Sequence, residues 1–107
     1  MAESNVAKLK VALYVCSVDG VLSDIEEKTL IRLYNESFDK KSTEWFEKHI
    51  ENFFSEDIDV EEYCMAVEPK NREKVLYIAS QAAASDGLDL QESIAFKRIL
   101  NFWGLNR

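Results

Sequence analysis

An Asp-Gly pair followed closely by a helix-capping box occurs twice in this chain, at Asp19-Gly20 with Ser23 to Glu26 and at Asp86-Gly87 with Asp89 to Glu92. Glycine reaches the left-handed backbone conformation that ends a helix without steric cost. In a capping box, the N-cap side chain and a Glu three positions later each satisfy a backbone amide that the new helix leaves without a partner. Each half of the chain therefore reads as helix, short turn and capped helix. The second copy has one residue fewer between its Asp-Gly and its cap, so the internal repeat is approximate.

The remaining segments follow the same helical grammar. Residues 5–18 carry Val6, Leu9, Leu13 and Cys16 at helical spacing, with Lys8 and Lys10 off that stripe. The helix opened by Ser23 runs to about Ser37 and is expected to bury Ile25, Leu30, Leu33 and Tyr34. Ser42 or Thr43 caps a third helix bearing Phe46, Ile50, Phe53 and Phe54, with Trp45 and His49 one turn apart. Asp59 to Glu62 reads as another capping box, for a short helix that ends before Pro69. Asn71 caps a fifth helix with Val75, Ile78, Ala79 and Ala82. The sixth follows Asp89, carries Ile94, Ile99, Leu100, Phe102 and Trp103, and stops at Gly104. No alternating run of Val, Ile and Thr competes with these assignments. The expectation is an all-α, single-domain bundle of about six short helices spanning residues 1–107.

Composition narrows the function. With 107 residues, 47% apolar and 31% charged, the chain has the length and composition to bury a core without a metal or disulfides. Its formal net charge of −7 runs against binding nucleic acid, which is held by neutralising phosphates with Lys and Arg. The same charge disfavours anionic membrane surfaces and suits basic partners or cations. Cys16 and Cys64 lack metal-ligand spacing and have apolar neighbours, so both read as core thiols of a reducing compartment. No apolar stretch approaches the roughly 20 residues needed to cross a bilayer, and the first residues lack a signal-peptide pattern. A cytoplasmic protein without direct membrane insertion is expected.

The run of small or apolar residues, Asp-Gly, a Ser or Asp cap and then Glu resembles the TerB-like tellurite-resistance domain family. The resemblance lies in Val15 to Glu27, in Ala79 to Glu92 and in a closing segment from Leu100 to Leu105. It implies a non-catalytic adaptor in a tellurite- or stress-resistance system, with a protein partner that is basic or belongs to a membrane-associated complex. It also implies that acidic residues gather into a negative cluster. The first copy departs from the pattern in having Tyr14, Val15 and Cys16 where the second has Ala82, Ala83 and Ala84. Residues 38–72 carry no motif of the family.

Asp19 and Asp86 sit at helix ends, among free carbonyls that together carry roughly half a negative charge. Two compensations are open. The side chains can turn toward the amides of the next helix, or the corners can bind Ca²⁺ or Mg²⁺, which favour hard oxygen donors. Asp19 with Glu26, and Asp86 with Glu92, are the candidate ligands; Asp24, Glu27 and Asp89 are neighbours able to join them. The capping-box role gives Glu26 and Glu92 a sufficient local purpose without any metal, and no cofactor is required. An EF-hand is excluded, because its first ligand position would be Val15 and the final position of the second copy would be Ser93.

Catalysis finds little footing, and a hydrolase or transferase is the remote alternative. His49 is the single histidine and lies beside the aromatic stripe of the third helix. No Gly-rich phosphate loop follows a strand, and no nucleophile has an assignable base. The aromatic residues Trp45, Phe46, Phe53, Phe54, Phe102 and Trp103 are expected mainly in the core, with some left to form a partner-binding groove. The acidic run from Ser55 to Glu62 reads as a solvated helix start that can also meet a basic partner.

Overall fold

The computed structural model describes residues 4–18, 20–57, 59–87 and 89–105. Among them six α-helices follow one another: α1 Ser4–Cys16, α2 Asp24–Ser37, α3 Thr43–Ser55, α4 Val60–Ala66, α5 Arg72–Ala84 and α6 Leu90–Trp103. A single 3-10 turn, Pro69–Asn71, leads into α5, and the described residues contain no strand. The all-α bundle expected from the spacing is the observed fold. No helix of the described residues is long and apolar enough to cross a membrane.

Helix α1 is the axis of the bundle. It packs most extensively on α5 and α4 and also touches α2, α3 and α6. All but three of its thirteen residues are buried, including Lys8 and Lys10, which the stripe of Val6, Leu9, Leu13 and Cys16 had placed outside. A helix covered on every side needs apolar atoms all round, and a lysine stem supplies them if its ammonium reaches a partner. Lys10 Nζ reaches Glu56 Oε1 at 2.7 Å, and Lys8 Nζ lies 4.1 Å from the centre of the Phe38 ring. Burial lowers the Lys8 pKa from its ordinary range.

The helix ends follow their local chemistry, with two corrections. Ser17 donates its hydroxyl to the Leu13 carbonyl at 2.6 Å, and Ser85 donates likewise to Ala82 at 2.6 Å. Gly20 and Gly87 then turn the chain at φ 92° and 86°, a region that would strain any residue with a Cβ. Asp59 and Asn71 occupy N-cap positions but make no side-chain capping bond, contrary to expectation. Asn71 closes the 3-10 turn, where its own amide is already bonded to Glu68. Gly104 ends α6 in the left-handed conformation, and the Leu105 amide bonds back to Leu100 at 2.8 Å.

Buried polar tips lock elements together. The Tyr34 hydroxyl donates to the Asn5 carbonyl at 3.0 Å, tying α2 to α1. Trp103 Nε1 donates to the Cys64 carbonyl at 3.0 Å, tying α6 to α4. Tyr34 also packs edge-on against Phe38 and Phe46, an arrangement that favours the ring quadrupoles. Ile25, expected inside, is 53% exposed, and Ile94 of α6 is 58% exposed.

Candidate functional site

The two capping boxes form as their sequences dictate. Ser23 Oγ accepts the Glu26 amide at 3.1 Å, and Glu26 Oε1 accepts the Ser23 amide at 3.0 Å. In the second copy Asp89 Oδ1 accepts the Glu92 amide at 2.8 Å, and Glu92 Oε1 accepts the Asp89 amide at 3.1 Å. Both glutamates are buried, at 6% and 4% exposure. The Glu26 carboxyl lies close enough to Glu92 to perturb it. The repeat thus folds so that the capping glutamate of one half acts on that of the other.

Two buried carboxyls close together cannot both be charged cheaply. Burial, then the hydrogen bond and charge of Glu26, push the Glu92 carboxyl up to about 7 from its ordinary 4.5, while the Asp89 amide pulls in the other direction. Glu92 therefore keeps its proton into near-neutral solution. Cys16 sits under the same corner, and burial together with the Glu26 and Glu92 charges raises its thiol far above the ordinary range. Burial also pushes Cys64 up, to about 12, so neither thiol is a ready nucleophile. Both cysteines are buried and free, in keeping with their reading as core residues.

Of the four residues singled out from the sequence, the structure brings Glu26 and Glu92 together. Asp86 lies exposed on its turn, and Asp19 falls outside the described residues. Each glutamate spends one oxygen on its N-cap amide and has a second to offer a hard cation. Among the described residues no group of three or more His, Cys, Asp and Glu side chains is arranged to hold a metal ion.

A second constellation lies at the C-terminal end of α1. Tyr14 and Val18 border two open hollows at once. One is completed by Phe53 and Phe54 of α3 with Val60 and Tyr63 of α4; the other is completed by Gln91, Ile94, Ala95 and Arg98 of α6. Polar networks hold the walls. Glu56 accepts from Lys10 through Oε1 and from the Tyr63 hydroxyl through Oε2. Burial alone would raise the Glu56 carboxyl, but these two hydrogen bonds and the Lys10 charge hold it below its ordinary range. Arg98 grips Glu61 with two bonds of 2.6 and 2.7 Å and reaches the Tyr14 hydroxyl at 3.1 Å. Its hydrogen bonds hold the Glu61 carboxyl low. The run from Ser55 to Glu62 is thus only partly a solvated face, since Glu56 and Glu61 are structural members of the bundle.

His49 is half-buried with its ring centre 4.7 Å from that of Trp45, as the one-turn spacing on α3 implies. Sequence reasoning missed the roles of Lys10, Tyr63 and Arg98. A signal for Lys10 existed: between Val6 and Cys16 only Lys8, Lys10 and Tyr14 interrupt the apolar run, the composition of a helix buried all round. The contacts of Tyr63 and Arg98 join α3, α4, α1 and α6 and left no local mark. The chain matches no protein-family model, no curated protein and no solved structure.

Proposed function

We propose that this chain is a non-catalytic interaction domain, a cytoplasmic adaptor of the TerB-like kind serving a tellurite- or stress-resistance system. One observation carries the reading: four of the eight large apolar side chains exposed among the described residues lie at the two corners. Val21 and Ile25 stand 64% and 53% exposed around the start of α2, and Leu90 and Ile94 stand 75% and 58% exposed on the first turns of α6. The proximity of Glu26 to Glu92 makes these corners neighbours. Scattered exposed apolar residues are ordinary, but a group of them set among acids is the usual composition of a contact surface. The resistance context rests on the sequence resemblance alone. The test is capture from the source cell at physiological salt with the full chain as bait. A partner retained by the natural chain and lost with Ile25→Lys and Leu90→Lys supports the adaptor; no partner in either case counts against it.

The proximity of Glu26 to Glu92 favours a second reading, a Ca²⁺ or Mg²⁺ site in which a cation replaces the Glu92 proton. Amide shifts confined to residues near Glu26 and Glu92 on titration with either ion support it, with binding weakening below about pH 7 as the proton competes. Flat spectra to millimolar cation, or equal affinity in a Glu26→Gln, Glu92→Gln variant, overturn it.

A further inference from the structure

Ser93, Phe96, Lys97 and Leu100 fall at the i, i+3, i+4 and i+7 positions of α6 and so share one face of that helix. Across from them α5 offers Ser80 and Ala83, side chains too small to fill the space, and buried Val15 of α1 lines it as well. The result is an open hollow of about 330 Å³, at the lower end of the range in which small-molecule sites occur. We infer that this hollow binds the anion of a short aliphatic carboxylic acid, its chain against Val15, Ala83, Phe96 and Leu100 and its carboxylate on Lys97 and Ser93. None of Val21, Ile25, Leu90 and Ile94 lines the hollow, so the site is independent of the surface assigned to the adaptor.

The lining selects both ends of the ligand. Val15, Ala83 and Leu100 are buried and Phe96 is half-buried, so an aliphatic chain laid on them leaves water for an apolar wall. Lys97 is the one charged side chain that lines the hollow among the described residues, and it is exposed. It enters no ion pair among the described residues, and no acid stands three or four positions from it along α6. Ser93, one turn earlier on the same face, is half-buried and adds a hydroxyl donor beside the ammonium. The Ser80 hydroxyl on the opposite wall is already donated to the Tyr77 carbonyl at 2.9 Å. Two donors one turn apart suit a carboxylate, which only accepts, and a single cation matches a single negative charge better than a phosphate dianion. The same ammonium repels an alkylammonium ion. The net charge of −7 works against any anion, so the chain supplies most of the affinity and Lys97 the choice of head group.

The experiment titrates the full chain with octanoate below its micelle-forming concentration, with octanol and octylammonium as controls of equal chain length. Expected are saturating amide shift changes centred on Val15, Ser80, Ala83, Phe96 and Leu100. Octanoate should bind roughly three- to fivefold tighter than octanol, the size of an exposed charge contact, and octylammonium should bind more weakly than either. Lys97→Met should remove that preference and leave octanol binding where it was. Ser80→Leu fills the hollow and should abolish binding of both. Unchanged helical circular dichroism checks that each variant folds; if Ser80→Leu does not, Lys97→Met, which replaces an exposed side chain, decides alone. Equal affinity for the three ligands, a preference that survives Lys97→Met, or shifts spread over Val21, Phe54 and Phe102 overturns the inference. Flat spectra to tens of millimolar octanoate overturn it too. So does concentration-dependent shifting of the same amides without ligand, which would make a second copy the occupant. The adaptor reading is tested on Ile25 and Leu90 and stands or falls separately.

Discussion

A buried glutamate close to another carboxyl is a source of pH dependence with a definite sign. Unfolded, Glu92 titrates near its ordinary 4.5; folded, burial and Glu26 push it up to about 7. Between those values the folded protein keeps a proton that the unfolded chain releases, so stability from this group is full below pH 4.5 and declines until about pH 7. Glu56 and Glu61 act oppositely: held low by Lys10 and Arg98, they stabilise above their ordinary range and are lost as acid protonates them. Stability should peak in mildly acid solution. Glu92→Gln keeps a carbonyl for the Asp89 amide and removes the ionisation. Melts at pH 5 and pH 8 should show the natural protein losing on the order of 2 kcal/mol across that interval and the variant staying level. A variant with the natural slope would place the proton elsewhere. Glu56→Ala tests the other pair: it leaves Lys10 buried without its carboxylate and should cost about 2–4 kcal/mol in urea unfolding at pH 7, whereas Lys10→Met with Glu56→Ala should recover part of the loss. None of these partnerships is local in sequence. The repeat of the capping box announced that Glu26 and Glu92 had equivalent roles, but their proximity depends on how the two halves pack.

At the scale of the helix, much was legible because the signals are made within a few residues. The boxes at Ser23 and Asp89 and the stop at Gly104 form as written, since each bond joins groups three to five positions apart. Asp59 has the same letters and no capping bond. Its helix is seven residues long and is held by tertiary contacts of Tyr63 and Cys64, so the cap is dispensable. Substitution should separate the cases: Ser23→Ala is expected to cost about 0.5–2 kcal/mol, and Asp59→Ala less than about 0.5 kcal/mol, by denaturant unfolding. Equal losses would mean that Asp59 caps in solution. The faces of the helices were less legible than their ends. Periodicity assumes one buried stripe, an assumption that α1 breaks by being buried all round and that α6 breaks by turning Leu90 and Ile94 outward.

The molecule as a whole is organised by α1, and its two thiols report on that organisation. Cys16 lies on α1 and Cys64 on α4; both are fully enclosed in one core that also contains Leu13, Leu30 and Ile99. Neither can reach a reagent until the packing around α1 opens, and in a bundle wrapped round one helix that opening should be shared. A thiol-reactive disulfide added to the native protein should therefore label Cys16 and Cys64 at a common rate set by the population of the open state. Leu13→Ala removes a wholly buried side chain from the axis and should cost about 2–5 kcal/mol, accelerating both labelling reactions by roughly a hundredfold. Ile94→Ala removes a similar side chain that is 58% exposed and should leave both rates within about twofold. Mass spectrometry of partly labelled protein distinguishes the alternatives. Doubly labelled chains appearing together with loss of the unlabelled ones indicate a single cooperative unit, whereas Cys64 reacting well ahead of Cys16 would mean that α4 detaches locally. Local detachment would also release Tyr63 and Glu61 from the walls beside Tyr14, so the same measurement tells whether those walls are built on rigid or on mobile elements.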